Sequence, residues 1–144
     1  MPSKLYKDLD AYDKLLCPTF QKQWKTLINV CPWSTDFQGI NFTNIWFKTY
    51  KDKYSPIIIL EENNEGELEH LFILGRDNKN DQIVHCGAQQ AEYQCWLSNS
   101  FNFSKFIDYV MSEISKFDMN CKLKLKFLPP TLTNHINKTP INTV

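Results

Sequence analysis

The chain has 144 residues with 16 basic and 16 acidic side chains, so its formal net charge is zero. A length of this order suits one domain around one core, and ten Phe, six Tyr and four Trp supply the material for it. Balanced charge excludes a general attraction to nucleic acid or to an anionic membrane, and with Arg76 as the lone arginine there is little for bidentate phosphate recognition.

In chain order, the first clear element is a helix from Pro18 to Val30. Pro18 suits the first helical position, Phe20, Trp24, Leu27 and Ile28 recur at helical spacing, and Cys31-Pro32 stops the helix. The connector Trp33-Ser34-Thr35-Asp36-Phe37-Gln38-Gly39 leads into a second helix over Asn41 to Tyr50. The period then changes. Pro56-Ile57-Ile58-Ile59-Leu60 is a β-branched run of the kind buried on both faces of a sheet. The polar, glycine-containing segment Glu61 to Glu67 predicts a hairpin loop, and Leu68 to Leu74 the return strand. Gly75 to Asp81, with Arg76, reads as a turn, Gln82 to Cys86 as a third strand and Tyr93 to Leu97 as a fourth.

Phe103, Phe106, Ile107, Val110, Met111, Ile114 and Phe117 form an apolar stripe that predicts a helix over 103–117, capped by Ser100 or Asn102. Lys122 to Leu128 alternates strictly and predicts a strand with one solvated face; the tail from Thr131 is polar. The order α-α-β-β-β-β-α-β implies an α/β (α+β) fold, a mixed and mostly antiparallel sheet with helices on its faces. Residues 1–130 form the predicted domain and 131–144 its tail, a possible start of a linker or second domain.

The search for chemistry returns few candidates. Five cysteines, Cys17, Cys31, Cys86, Cys95 and Cys121, are odd in number and show no C-x-x-C spacing, so neither a disulfide framework nor a zinc site is expected. The Met1 to Tyr6 stretch has no apolar signal-peptide core and no run reaches the roughly 20 residues of a membrane span; the expected location is cytoplasmic. His85 and Cys86 are adjacent on a predicted strand and point to opposite faces, with one of them in the core. The four glycines, Gly39, Gly66, Gly75 and Gly87, are too far apart for a phosphate-cradling loop, and the segment before the best helix, Leu97 to Asn102, has none. The positive signal is aromatic and polar. Trp33, Phe37, Gln38, Trp46 and Tyr50 surround the first connector, and Gln89, Gln90, Glu92, Tyr93 and Trp96 surround the third-to-fourth strand break. Aromatic faces with amide and hydroxyl tips suit a sugar or peptide, and the same residues suit an ordinary core.

The pattern Phe20-x-x-x-Trp24-x-x-Leu27, then Pro32 to Thr35 leading to Phe37-Gln38, then Asn44-Ile45-Trp46-x-x-x-Tyr50, resembles the opening of CelD/BioF-like and FemAB-like acyltransferases of the GNAT-like superfamily. The resemblance runs through Pro56 to Glu61, Glu67 to Leu74, Gly87 to Tyr93 and Leu97, and ends with the 103–117 helix and the 122–128 strand. It implies the first of two tandem GNAT-like domains, which shapes the acceptor cleft of an enzyme that transfers an acyl group to an amine on a sugar or peptide. Phe37, Gln38, Trp46, Gln89 and Tyr93 would line the acceptor side, with Tyr93 the candidate proton donor. No cofactor is implied for this chain alone and no metal. Acyl-CoA is expected only with a second GNAT-like domain, since the superfamily's Q/R-x-x-G-x-G/A loop has no match here. The implied partners are that second domain or further copies of the chain. The alternative is a non-catalytic binding module that retains the fold.

Overall fold

The computed structural model describes residues 3–117, 122–133 and 142–143. Its first two elements lie ahead of the first helix expected from the sequence: strand β1, Ser3–Lys7, and helix α1, Asp8–Leu16. Helix α2 spans Pro18–Val30, with Pro18 opening it and Cys31 as its C-cap, as the sequence predicts. A 3₁₀ turn at Asp36–Gln38 precedes helix α3, Ile40–Thr49. Strands β2, Tyr54–Glu62, and β3, Leu68–Asp77, form the hairpin, and β3 carries Arg76, which therefore sits on a strand and not in a turn. Strand β4 is Ile83–His85, a 3₁₀ turn covers Ala88–Gln90, and strand β5 is only Leu97–Ser98. Helix α4 spans Ser104–Ile114. Its N-cap is Phe103, without a side-chain cap, while Ser100 Oγ accepts from Asn102 N–H at 3.2 Å and caps nothing. Strand β6, Lys124–Leu125, helix α5, Pro130–Thr133, and strand β7, Asn142–Thr143, complete the described chain.

The main sheet is antiparallel at every pairing, β1 on β2, β2 on β3, and β3 on both β4 and β5. The expected mixed sheet ending in the 122–128 strand is corrected here. Only Lys124–Leu125 is strand, and it pairs in parallel with Asn142–Thr143 in a separate two-stranded sheet. Alternation along a strand specifies its faces but not its partner.

Ile57 to Leu60 and Leu71 to Gly75 are buried throughout, so both faces of the central hairpin are covered. Register places Ile57, Ile59, His70, Phe72 and Leu74 on one face and Ile58, Leu60, Leu71, Ile73 and Gly75 on the other. Helix α4 covers the first, where Phe106 stacks on His70 with ring centroids 5.0 Å apart. Helix α3 covers the second, where the absent side chain of Gly75 leaves room for the ring of Trp46; a Cβ there would stand 3.3 Å from it. Four of the cysteines, Cys17, Cys31, Cys86 and Cys95, carry free thiols, and Cys121 lies outside the described residues. Among the described residues no helix is long and apolar enough to cross a membrane, and no cluster of His, Cys, Asp or Glu is placed to hold a metal ion.

Candidate functional site

The outer edge of β3 positions the site. Strand β2 occupies the other edge along its whole length, so β4 and β5 must share this one: β4 pairs with Leu74 to Arg76 and β5 with His70 and Leu71. They are two pieces of one interrupted strand, and residues 86–96 leave the sheet between them. Interruptions of this kind end a ladder and re-aim side chains, and they recur beside binding sites. Cys86 N–H still donates to Ile73 O at 3.2 Å, and there the ladder stops.

Gly87 makes the exit. Its φ is +98°, a left-handed conformation open to glycine, and a Cβ there would lie 2.7 Å from both Ala91 Cβ and the ring of Phe42. Gly87→Ala is expected to lose ~3 kcal/mol through strain and overpacking together. Thermal unfolding of the variant would check this, and an unchanged midpoint would show that the segment can relax. His85 bridges the neck. Its Nδ1 contacts Cys86 O at the exit and its Nε2 lies 3.0 Å from Cys95 O at the return. Burial pushes its pKa down to about 4 against the opposing pull of those carbonyls, so the ring is neutral at pH 7.

The connector before α3 is stitched to the excursion. Gln38 closes a capping box with Thr35: its Oε1 accepts from Thr35 N–H at 2.9 Å and from the hydroxyl at 2.8 Å. Its Nε2 then donates to Tyr93 O at 3.0 Å. Trp33 Nε1 donates to Trp96 O at 2.7 Å, and Trp46 Nε1 to Gln90 Oε1 at 3.2 Å. Gln94 holds the excursion to itself and to the C-terminal part, donating to Ala88 O and accepting from Lys126 N–H at 2.8 Å. These amides explain why 93–96 is not strand: its backbone is held by side chains instead of by a neighbouring strand.

Between connector, excursion and β3 lies a cavity of about 10 Å³, lined by Phe37, Gln38, Thr43, Leu71, Ile73, His85, Cys86, Cys95 and Leu97. That is room for about one water. His85 and Cys86 both border it, yet their side chains do point to opposite faces, His85 opposite Leu74 with its ring against Phe72 and Cys86 beside Thr43. The expectation that only one of them is core is corrected, since both faces of the sheet are covered and both residues are buried. Burial pushes the Cys86 thiol up to about 12 and the Cys95 thiol well above its ordinary value. Both stay protonated at neutral pH and are poor nucleophiles. Beside the connector a shallow cleft of about 350 Å³ opens to solvent, bordered by Lys25, Thr35, Asp36, Asn41 and Phe42.

The structure thus unites the two clusters singled out in the sequence, although five residues differ in what they offer. Gln38 and Trp46 are buried with their polar tips spent on internal hydrogen bonds. Phe37 and Tyr93 are half-buried and Gln89 is exposed. Phe37 packs edge-on against Phe42, 5.3 Å between centroids, which links it to the open cleft. Sequence reading missed Phe42, Thr43 and Gln94. Nothing local marked any of the three, since the approach of Phe42 to Gly87 spans 45 positions. Compared with known proteins, the chain matches no family model, no curated protein and no solved structure.

Proposed function

We propose that this chain is the acceptor-side domain of a GNAT-like acyltransferase of the CelD/BioF-like and FemAB-like kind, which presents an amine on a sugar or peptide to a donor held elsewhere. The observation that supports the reading is the stitched seam at the interrupted edge of β3. Around it Phe37 and Tyr93 stay half-buried and Gln89 exposed, and Phe37 packs on Phe42, which borders an open cleft with the carboxylate of Asp36 and the amide of Asn41. Aromatic faces beside a few convergent polar groups suit a sugar or a peptide. Tyr93 has the hydroxyl a proton donor needs, and the exposed Gln89 side chain suits acceptor hydroxyls.

This reading leaves the donor to another domain. A pyrophosphate needs backbone N–H groups at the start of a helix with small residues before it. Helix α4 begins after Phe103, and the preceding loop, Ser98 to Asn102, contains no glycine. Gly87 opens only a 3₁₀ turn, and Gly39, the N-cap of α3, has no second glycine near it and follows the acidic Asp36. Isothermal titration with acetyl-CoA is expected to give weak binding or none; a dissociation constant in the low micromolar range, about −8 kcal/mol, would point to a self-sufficient enzyme instead. Amide chemical-shift mapping with glucosamine and with a lysine peptide tests the acceptor side. Shifts centred on Thr35 to Phe42 and Gln89 to Tyr93 are expected, and shifts elsewhere would move the site.

A second reading, a binding module without catalysis, is favoured by one feature. Every titratable group that lines the small cavity is held neutral by burial, which leaves no acid or base poised there near pH 7. Acyl transfer by the chain combined with a separate GNAT-like domain would decide between the two.

A further inference from the structure

A different face of the molecule carries an independent inference. Tyr12 of α1 meets Phe47 of α3 edge-on, with ring centroids 6.4 Å apart, and the two helices border an open groove of about 730 Å³. Tyr12, Leu15 and Phe47 give it an apolar floor, the exposed Leu16 stands at its edge, and Lys48, Lys51 and Asp52 stand on its rim. Its α1 border carries large apolar side chains that the fold leaves in water: Leu9 is 78% and Leu16 68% exposed. They are seven residues apart and so share one side of the helix. Ile45, 64% exposed, stands three residues before Lys48 on α3. Scattered exposed leucines need no explanation, but a ridge of them beside an apolar groove does.

Charge is divided along the same surface. Asp13 lies four residues after Leu9 and three before Leu16, so it sits on the ridge. Asp13, Lys48 and Lys51 are exposed, and none of them forms an ion pair among the described residues. The surface therefore holds a protruding ridge that is apolar and acidic next to a recess that is apolar with a rim of two lysines against one carboxylate, Asp52, and so basic on balance. A two-fold axis between two such surfaces puts each ridge into the other's groove and brings each Asp13 toward the other's lysines. This is the self-complementarity an isologous interface requires.

We propose that the chain forms a two-fold homodimer through the α1–α3 groove, with Leu9 and Leu16 of each copy seated in the groove of the other and Asp13 facing Lys48 and Lys51 across the interface. The apolar contacts supply the affinity and the charges the register. The proposal does not rest on the acyl-transfer reading.

Sedimentation velocity of the full chain over a concentration series is the test. The expected result is a concentration-dependent shift from the 17.0 kDa chain to a species of twice that mass, and nothing larger. Leu16→Asp should weaken the dimer by well over about tenfold while leaving the circular dichroism unchanged, since the side chain makes no core contact that folding needs. Asp13→Lys and the pair Lys48→Glu with Lys51→Glu should each weaken it as well. All three substitutions in one chain should restore it, because both sides of the contact are then reversed. A 17.0 kDa species at every concentration would overturn the proposal. So would a ladder of larger species, or a dimer indifferent to Leu16→Asp and to the charge exchange.

Discussion

Trp24→Ala is expected to destabilise the fold by about 4 kcal/mol, the largest loss predicted for any single side chain here. Trp24 is fully buried in α2, packed at 5.6 Å on Phe20, and its Nε1 donates to Gln38 O at 2.8 Å. Truncation to Ala leaves a cavity the size of an indole and also removes the donor that anchors the connector. Trp24→Phe separates the two effects. It keeps most of the ring volume but leaves a buried carbonyl unpaired, at a cost of about 1–3 kcal/mol. Trp96 supplies the control. It is equally buried, packs tilted against Phe72 and edge-on against Phe103, and its Nε1 has no hydrogen-bond partner among the described residues. Trp96→Phe therefore loses volume without losing a hydrogen bond, and it should cost less than Trp24→Phe. Urea denaturation of the three variants gives the order directly. If Trp96→Phe proved the costlier of the two, the account of the connector's anchoring would be wrong.

These tryptophans also mark how far the sequence can be read. Trp24 was legible as core, because Phe20, Trp24 and Leu27 repeat at helical spacing. The Ile57 to Leu60 run and its return strand were legible for the same reason, since local pattern and burial agree. Strand β1 and helix α1 were not. Lys4-Leu5-Tyr6-Lys7 is too short and mixed to declare a strand, α1 has Lys7 at its N-cap with no side-chain hydrogen bond, and Asp8 enters it at φ 54°. What secures them is tertiary. Each residue of β1 pairs with one from Ile57 to Glu61, and Arg76 Nη2 reaches Asp8 Oδ1 at 3.0 Å across 68 positions. The candidate site divides likewise. Its residue types could be picked out, because aromatic and amide side chains are conspicuous around two connectors. Which of them keep a free tip could not, since that depends on contacts such as Gln38 to Tyr93 and Trp46 to Gln90, each spanning more than forty residues.

Acidification from pH 7 to pH 5 is expected to weaken the fold markedly, because two histidines are buried as neutral rings. His85 bridges the neck of the excursion, and His70 lies under Phe106 with Nδ1 2.7 Å from Ser98 Oγ, a contact that adds to the backbone pairing of β5 with β3. Burial lowers the pKa of each from 6.5 to about 4. Between those values the unfolded chain binds a proton that the folded chain refuses, so stability rises with pH through the window and is lost as pH falls through it. A gap of this size is worth roughly 3 kcal/mol per histidine at most. His70 should contribute the smaller share, because Glu61 Oε2 stands 3.9 Å from its Nε2 and would pair with the ring once protonated. Glu61 itself acts in the opposite sense. Burial and then the charge of Glu69 raise its carboxyl pKa, with Lys105 pulling the other way, so where the folded chain protonates Glu61 in place of pairing it with His70, that uptake recovers part of the loss instead. Urea midpoints at pH 7, 6 and 5 should therefore fall most steeply below pH 6.5. His85→Gln should be less stable at pH 7 yet show a visibly flatter dependence on pH, because the titrating ring is gone. Equal midpoints at pH 7 and pH 5 for the unaltered chain would mean that neither ring is held neutral, and that the two carbonyls around His85 stabilise an imidazolium strongly enough to outweigh its burial.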